Sequence, residues 1–178
     1  MNEEVYVNGE RVSLPATERR LVDWLRDDLG LTGTKEPCGR GHCGGCSVLL
    51  DEAVVPACCV LTSGVAGRRV LTIEGLETLG DPLPAAFVAH GAVQCGFCTP
   101  GMIVAARALL CDADPTGPPL DHSTVRRALA GNLCRCTGYG QQVSAILSTA
   151  ADEGLPVIPH DAEPLLAPPV EPACQEPL

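Results

Sequence analysis

Apolar and polar residues alternate over residues 3–8 and return over 11–14, and Asn8-Gly9 between them is a type I′ turn signal. A β-hairpin therefore opens the chain. Leu21, Val22, Trp24, Leu25 and Leu29 then fall at helical spacing, so a helix is predicted over 17–29, stopped by Gly30 and lying across the sheet. Strands follow at 47–50, 54–57 and 69–73, after a glycine-rich loop at 35–46. Strands flanking one helix within about 75 residues give a small α+β unit.

From Pro82 the pattern turns helical. Segments 83–90, 102–111, 124–129 and 142–151 suit helices divided by Gly, Pro and Asp clusters, which makes the second half a small helical bundle. Beyond 153 the chain is Pro-rich and acidic, with no Lys or Arg, a composition that buries too little surface to offset its ordering entropy. It reads as a tail that stays mobile or lies along a partner. The expected partition is 1–78, 79–153 and 154–178.

Composition narrows the function. Only 3% of the 178 residues are aromatic and the formal charge is −10, which opposes binding to nucleic acid or an anionic membrane. No stretch approaches the ~20 apolar residues of a membrane span, and MNEEVYVNGERV has neither a basic leader nor an apolar signal core. A cytoplasmic protein without membrane insertion is expected. Eleven cysteines in such a protein point to metal or redox chemistry, since a reducing compartment disfavours disulfides.

Cys38, Cys43 and Cys46, with Cys58 after eleven intervening residues, have the C-x4-C-x2-C…C spacing of plant-type ferredoxins. Three thiolates from one tight loop wrap a compact cluster only where backbone can take positive φ, and Gly39, Gly41, Gly44 and Gly45 supply that freedom along with N–H groups able to donate to sulfur. A zinc site would favour C-x2-4-C pairs on two knuckles, unlike this run. If residues 58–59 are extended, only one of the two cysteines can face the loop; spacing selects Cys58 and leaves Cys59 packed inward.

Cys95 and Cys98 form a C-x2-C pair and Cys134 and Cys136 a C-x-C pair, separated by 35 residues, room for two helices and a turn. Thr99-Pro100 is a helix start, with Thr99 as N-cap, and a further helix starts after 138–140, so both pairs precede helix N-termini whose dipoles favour an anionic cluster. A zinc knuckle or a C-x-x-C disulfide motif is weaker, because no βαβ pattern surrounds the pair. Cys111 and Cys174 fall outside both sets, as core packing or without a role, and His42 reads as an exposed neighbour of the loop.

The stretches GLTGTKEPCGRGHCGGCSVLLDEAVVPAC, QCGFCTPGM and GNLCRCTGY, in this order, resemble the [2Fe-2S] subunits of the xanthine oxidase family of molybdenum hydroxylases, with a match from about residue 4 to 152. The resemblance implies an α+β chain: an N-terminal β-grasp ferredoxin-like domain, an all-α four-helix-bundle domain and the Pro-rich tail. It implies two [2Fe-2S] clusters, on Cys38, Cys43, Cys46 and Cys58 and on Cys95, Cys98, Cys134 and Cys136. It also implies a large partner subunit with molybdopterin-bound molybdenum and a medium subunit with FAD, assembled as a dimer of heterotrimers. Electrons would pass from molybdenum through both clusters to flavin. Gln94 and Cys136 match the positions that face the pterin. Pro37 and Glu52 stand where the family favours glycine, which puts the turn at 51–52 in doubt.

The chain itself then carries no catalytic residue; an N-heterocycle, purine or aldehyde would be oxidised on the large subunit. Relatives that oxidise carbon monoxide or reduce an aromatic acyl-CoA keep the same small subunit. A free-standing ferredoxin-like carrier or redox sensor is the contrasting class, disfavoured by the second cysteine set. A zinc-stabilised module would be colourless.

Overall fold

Asn8 and Gly9 both take left-handed backbone angles, φ 52° and 87°, which makes the type I′ turn joining β1 (Glu4–Val7) to β2 (Glu10–Ser13). The computed structural model describes residues 4–158. β3 (Ser47–Leu50), β4 (Ala53–Pro56) and β5 (Arg69–Leu71) complete a five-stranded sheet of order β2-β1-β5-β3-β4. β1 and β5 run parallel, and the other neighbours are antiparallel.

The helix of the first half begins later than its sequence suggests. α1 (Leu21–Asp23) runs directly into a π-helical turn, Trp24–Asp28, while residues 17–20 stay outside the helix. Backbone pairing explains the delay: Thr62 N–H donates to Arg19 O at 2.9 Å, and Leu21 N–H donates to Val60 O at 2.7 Å. Those groups are already committed to residues 60–62 and cannot serve a helical turn. Leu21, Val22, Trp24 and Leu25 pack on Val5, Val7, Val48, Leu50 and Val70, and Cys46 and Cys58 belong to the same buried set.

β3 is buried on both faces. Val48 and Leu50 face that first core, whereas Leu49, pointing the opposite way, joins a second core built by the helices. These are α2 (Ile73–Thr78), α3 (Leu83–Ala89), α4 (Thr99–Asp112), α5 (His122–Ala128) and α6 (Gly140–Asp152). The four predicted helices are present and α2 is additional; its Leu76 enters the second core. α4 is the hub, buried nearly all round from Met102 to Leu110, because helices and β3 surround it. On its rim Arg107 donates to Asp81 (2.5 and 2.9 Å) and Glu153 (3.0 and 2.8 Å), tying the start of α3 to the end of α6.

The architecture is thus mixed α+β, an N-terminal sheet followed by a helical region. No helix among the described residues is long and apolar enough to cross a membrane. The expected tail is corrected at its beginning: Leu155 and Val157 pack on the second core, and residues 156 and 158 pair through backbone with Leu120 at 2.8 and 2.9 Å. Apolar side chains at 155, 157 and 158 give this stretch surface to bury that composition alone conceals. Residues 159–178, with Cys174, lie outside the described residues.

Asp51 and Glu52 join β3 to β4 with φ 47° and 76°, so the turn keeps the left-handed form that glycine would favour. Asp51 is held there by Arg68 Nε (2.7 Å) and Arg69 N–H (2.8 Å); Glu52 has only an exposed ion pair with Arg69 at 3.5 Å. A non-glycine residue in this region costs about 1–2 kcal/mol, and the added backbone entropy of glycine offsets about half. Glu52→Gly is expected to raise the thermal unfolding midpoint of the chain by about 2 °C at a fixed scan rate. An unchanged or lower midpoint would show that the turn is not strained.

Candidate metal centres

The loop from Cys38 to Cys46 leads straight into β3, and Cys58 sits in a 3-10 turn, Ala57–Cys59, that follows β4. Adjacent antiparallel strands therefore bring the fourth cysteine back to the loop, where Ala57 N–H donates to Cys46 O at 3.0 Å. Cys46 and Cys58 are buried in the first core; Cys38 and Cys43 are half-buried above them. Arg40 N–H donates to Cys38 Sγ at 3.4 Å, and Gly41 N–H donates to Cys58 Sγ at 3.2 Å. The Arg40 N–H, then the Cys43 thiol and the His42 N–H, bring the Cys38 thiol down to about 6. Burial does the opposite to Cys46, pushing it up to about 12.

Gly41 and Gly44 take φ 73° and 68°. Gly45 does not share that conformation: its missing side chain admits the ring of Pro37, 2.6 Å from where a Cβ would stand. The departure at Pro37 is thereby accommodated.

In the second set Cys98 is the N-cap of α4, one residue before the expected Thr99, which occupies the first helical position. Cys134 and Cys136 lie in the loop before α6. That loop is shaped by Tyr139, whose phenol donates to Asn132 O at 3.0 Å and accepts from Cys134 N–H at 2.8 Å. The Thr137 hydroxyl donates to Cys134 Sγ at 3.1 Å. Buried Gln142, from the first turn of α6, donates to Thr137 Oγ1 at 3.0 Å and to Ala92 O at 2.7 Å. Burial alone would raise the Cys134 thiol, but the Thr137 hydroxyl and N–H and the Cys136 N–H outweigh it and bring the thiol down. For Cys98, burial and then the neighbouring Cys134 thiol outweigh its own N–H and push it up to about 12. Tyr139, Thr137, Gln142 and Asn132 were given no role by sequence, because their partners are fixed only by the fold.

The thiols meet two by two. Cys38 neighbours Cys43 and Cys46 neighbours Cys58, with Cys43 acting on Cys46; Cys95 neighbours Cys136 and Cys98 neighbours Cys134, with Cys134 acting on Cys95. No three His, Cys, Asp or Glu side chains among the described residues converge tightly enough for a single metal ion. Paired thiols suit a binuclear cluster, whose four thiolates are shared between two irons. The positive φ at Gly41 and the N–H groups aimed at sulfur fit the same group.

The two loops touch. Leu133 N–H donates to Cys43 O at 2.9 Å, and Asn132 Nδ2 donates to Gly44 O at 3.0 Å. A Cβ on Gly44 would stand 2.5 Å from Gly131 O, and one on Gly101 would stand 2.2 Å from Gly44 O. A cleft of about 480 Å³ beside this junction is lined by Cys43 and by all four cysteines of the second set. Its rim carries Phe97 and Leu133, 49% and 59% exposed. Gln94, Cys95 and Cys136 are exposed as well.

One expectation changes, and one alternative is decided. Cys59 is exposed rather than packed inward, because residues 57–59 form a 3-10 turn and the alternation of an extended strand does not apply. Cys111, in the last turn of α4, is exposed too and adds nothing to the core. His42 is exposed, as expected of a loop neighbour.

Known proteins resemble this chain in sequence and in fold. Residues 72–147 match the [2Fe-2S] binding domain family. The chain is 46% identical over 137 residues to the nicotinate dehydrogenase small FeS subunit of Eubacterium barkeri, covering 75% of this chain and 84% of that one. It is 42% identical over 147 residues to the xanthine dehydrogenase iron-sulfur-binding subunit of Escherichia coli O157:H7, covering 81% and 91%. The crystal structure of quinoline 2-oxidoreductase from Pseudomonas putida 86 superposes with a TM-score of 0.76 at 37% identity, over 86% of this chain and 95% of that one. With two paired-thiol sites joined by one backbone junction, this chain belongs to the small, electron-transferring [2Fe-2S] subunits of the xanthine oxidase family of molybdenum hydroxylases.

Proposed function

We propose that Cys38, Cys43, Cys46 and Cys58 hold one [2Fe-2S] cluster and Cys95, Cys98, Cys134 and Cys136 the other, within a β-grasp ferredoxin-like domain (1–78) and a four-helix bundle (79–153). The observation that carries the relay is the Leu133 N–H to Cys43 O hydrogen bond, which places the backbone next to Cys134 against that of Cys43. Each cluster supplies one-electron redox chemistry when bound. The polypeptide fixes the separation of the two sites, keeps water from the buried thiols and aims N–H and O–H donors at sulfur.

Partners are suggested by the exposed side of the second set. Gln94, Cys95 and Cys136, with the apolar Phe97 and Leu133, suit contact with a large subunit bearing molybdopterin-bound molybdenum, and Gln94 and Cys136 would face the pterin. A medium subunit would take the electrons on FAD, in a cytoplasmic dimer of heterotrimers. The names of relatives that act on nicotinate, xanthine and quinoline favour an N-heterocycle or purine as the substrate of the complex.

The test is iron analysis with low-temperature EPR on the anaerobically purified, dithionite-reduced protein. About four irons per chain and two distinct S = 1/2 signals are expected. One signal would leave a simple ferredoxin, and zinc in place of iron would end the electron-transfer assignment.

The site makes two further outcomes testable. Thr137→Val removes one hydrogen bond to Cys134 Sγ, worth about 1 kcal/mol, and should lower the potential of one cluster by about 40 mV in a redox titration, with Thr137→Ser restoring it. Equal potentials in all three proteins would mean that the hydroxyl does not reach the sulfur. Gln94→Ala should slow cluster reduction by substrate in the assembled complex at unchanged cluster content. An unaltered rate would remove Gln94 from the pterin-facing surface.

A further inference from the structure

Cys59 is a fifth thiol at the first site. Its Sγ lies 3.7 Å from that of Cys58, and both sulfurs border the same glycine: Gly41 N–H donates to Cys58, and a Cβ on Gly41 would stand 2.8 Å from Cys59 Sγ. The 3-10 turn at Ala57–Cys59 makes this possible, since successive side chains there are about 120° apart rather than on opposite faces. Cys58 points into the core while Cys59 stays at the surface, on the open side of the loop. The pair is therefore two sulfurs on one short turn, both bordering Gly41 of the loop that carries the other three thiols.

We propose that Cys59 is an alternative ligand for the iron assigned to Cys58, so that the first cluster can be held by either member of the pair. This rests on the ligand assignment given under Proposed function. Exchange is balanced without an oxidant: Cys59 loses its thiol proton as it binds iron, Cys58 takes one up on leaving, and the cluster keeps four thiolates and its charge. The displacement is small because the two sulfurs are near van der Waals contact and the turn lies outside the sheet ladder. The surface position of Cys59 costs it the Gly41 hydrogen bond that Cys58 receives, so Cys58 is the preferred ligand and Cys59 the reserve.

The experiment compares the full-length chain in its complex as wild type, Cys58→Ala, Cys59→Ala and Cys58→Ala/Cys59→Ala, by iron content and by EPR of the reduced protein. Cys58→Ala and Cys59→Ala should each keep about four irons per chain and two signals, with the g values of the first cluster shifted in Cys58→Ala. The double variant should fall by half, to about two irons and the one signal of the second set. Cys58→Ala behaving like the double variant would overturn the proposal. Should Cys58→Ala fail to accumulate, Cys58→Ser and Cys58→Ser/Cys59→Ala decide: a thiolate spectrum in the first and an oxygen-ligated one in the second support exchange, and identical spectra refute it. A wild type lacking one of its two signals would instead refute the underlying ligand assignment.

Discussion

Gly44 O accepts the Asn132 side-chain amide at 3.0 Å, and no side chain stands between it and the backbone of Gly101. Two glycines, at 44 and 101, let the cysteine loop of the sheet half rest directly on the first turn of α4 and, at Gly131 O, on the loop before α6. A methyl group at Gly44 or Gly101 would have to push backbone against backbone, which close-packed interiors do not absorb. The short path between the two thiol sets depends on this contact. So does the burial of Leu49 against the helices, because β3 begins immediately after the loop.

Each set divides into a sheltered and an exposed pair. In the first, Cys46 and Cys58 are part of the core beneath the sheet, and Cys38 and Cys43 form the outer half; in the second, Cys98 and Cys134 are half-buried while Cys95 and Cys136 reach the surface. The sheltered members fix position, since moving them would open a core. Exposed members leave an edge for a partner subunit to approach, and the rate of electron transfer falls steeply with distance. Cys43 and Leu133, the residue before Cys134, meet at the junction between these halves, which leaves the surface of Cys95 and Cys136 free for contact.

Much of this was legible in the sequence. Spacing placed the cysteines on one tight loop, on the turn after β4 and ahead of two helix starts, as in the fold, because such separations are local. The hairpin at Asn8-Gly9 and the four main helices were equally local. Features that escaped depended on contacts distant in sequence. Residues 17–20 have a helical pattern, but residues 60–62 take their backbone groups; Cys59 would face inward on an extended strand, but the chain turns into a 3-10 helix rather than continuing β4. α2 is six residues long, too short for a periodic signal, and is fixed by Leu76 entering a core formed elsewhere. The packing of residues 155–158 against Leu120 was hidden by the high proline content of the C-terminal 25 residues as a whole.

Tyr139 shows how a local rule is broken where the site needs it. Its φ of 67° is costly for an aromatic residue, by about 1–3 kcal/mol, and nothing in local propensity favours it immediately before α6. The phenol recovers that energy through two hydrogen bonds, donating to Asn132 O and accepting from Cys134 N–H. Asn132 is the same residue whose amide holds Gly44, and Cys134 is the thiol that Thr137 reaches from the other side, itself held by Gln142. Strain at one residue is thus balanced by bonds that fix both the second cysteine loop and its junction with the first. A side chain lacking the phenol oxygen would keep the cost and lose the compensation, so the geometry between the two sites is set as much by Tyr139 as by the cysteines themselves.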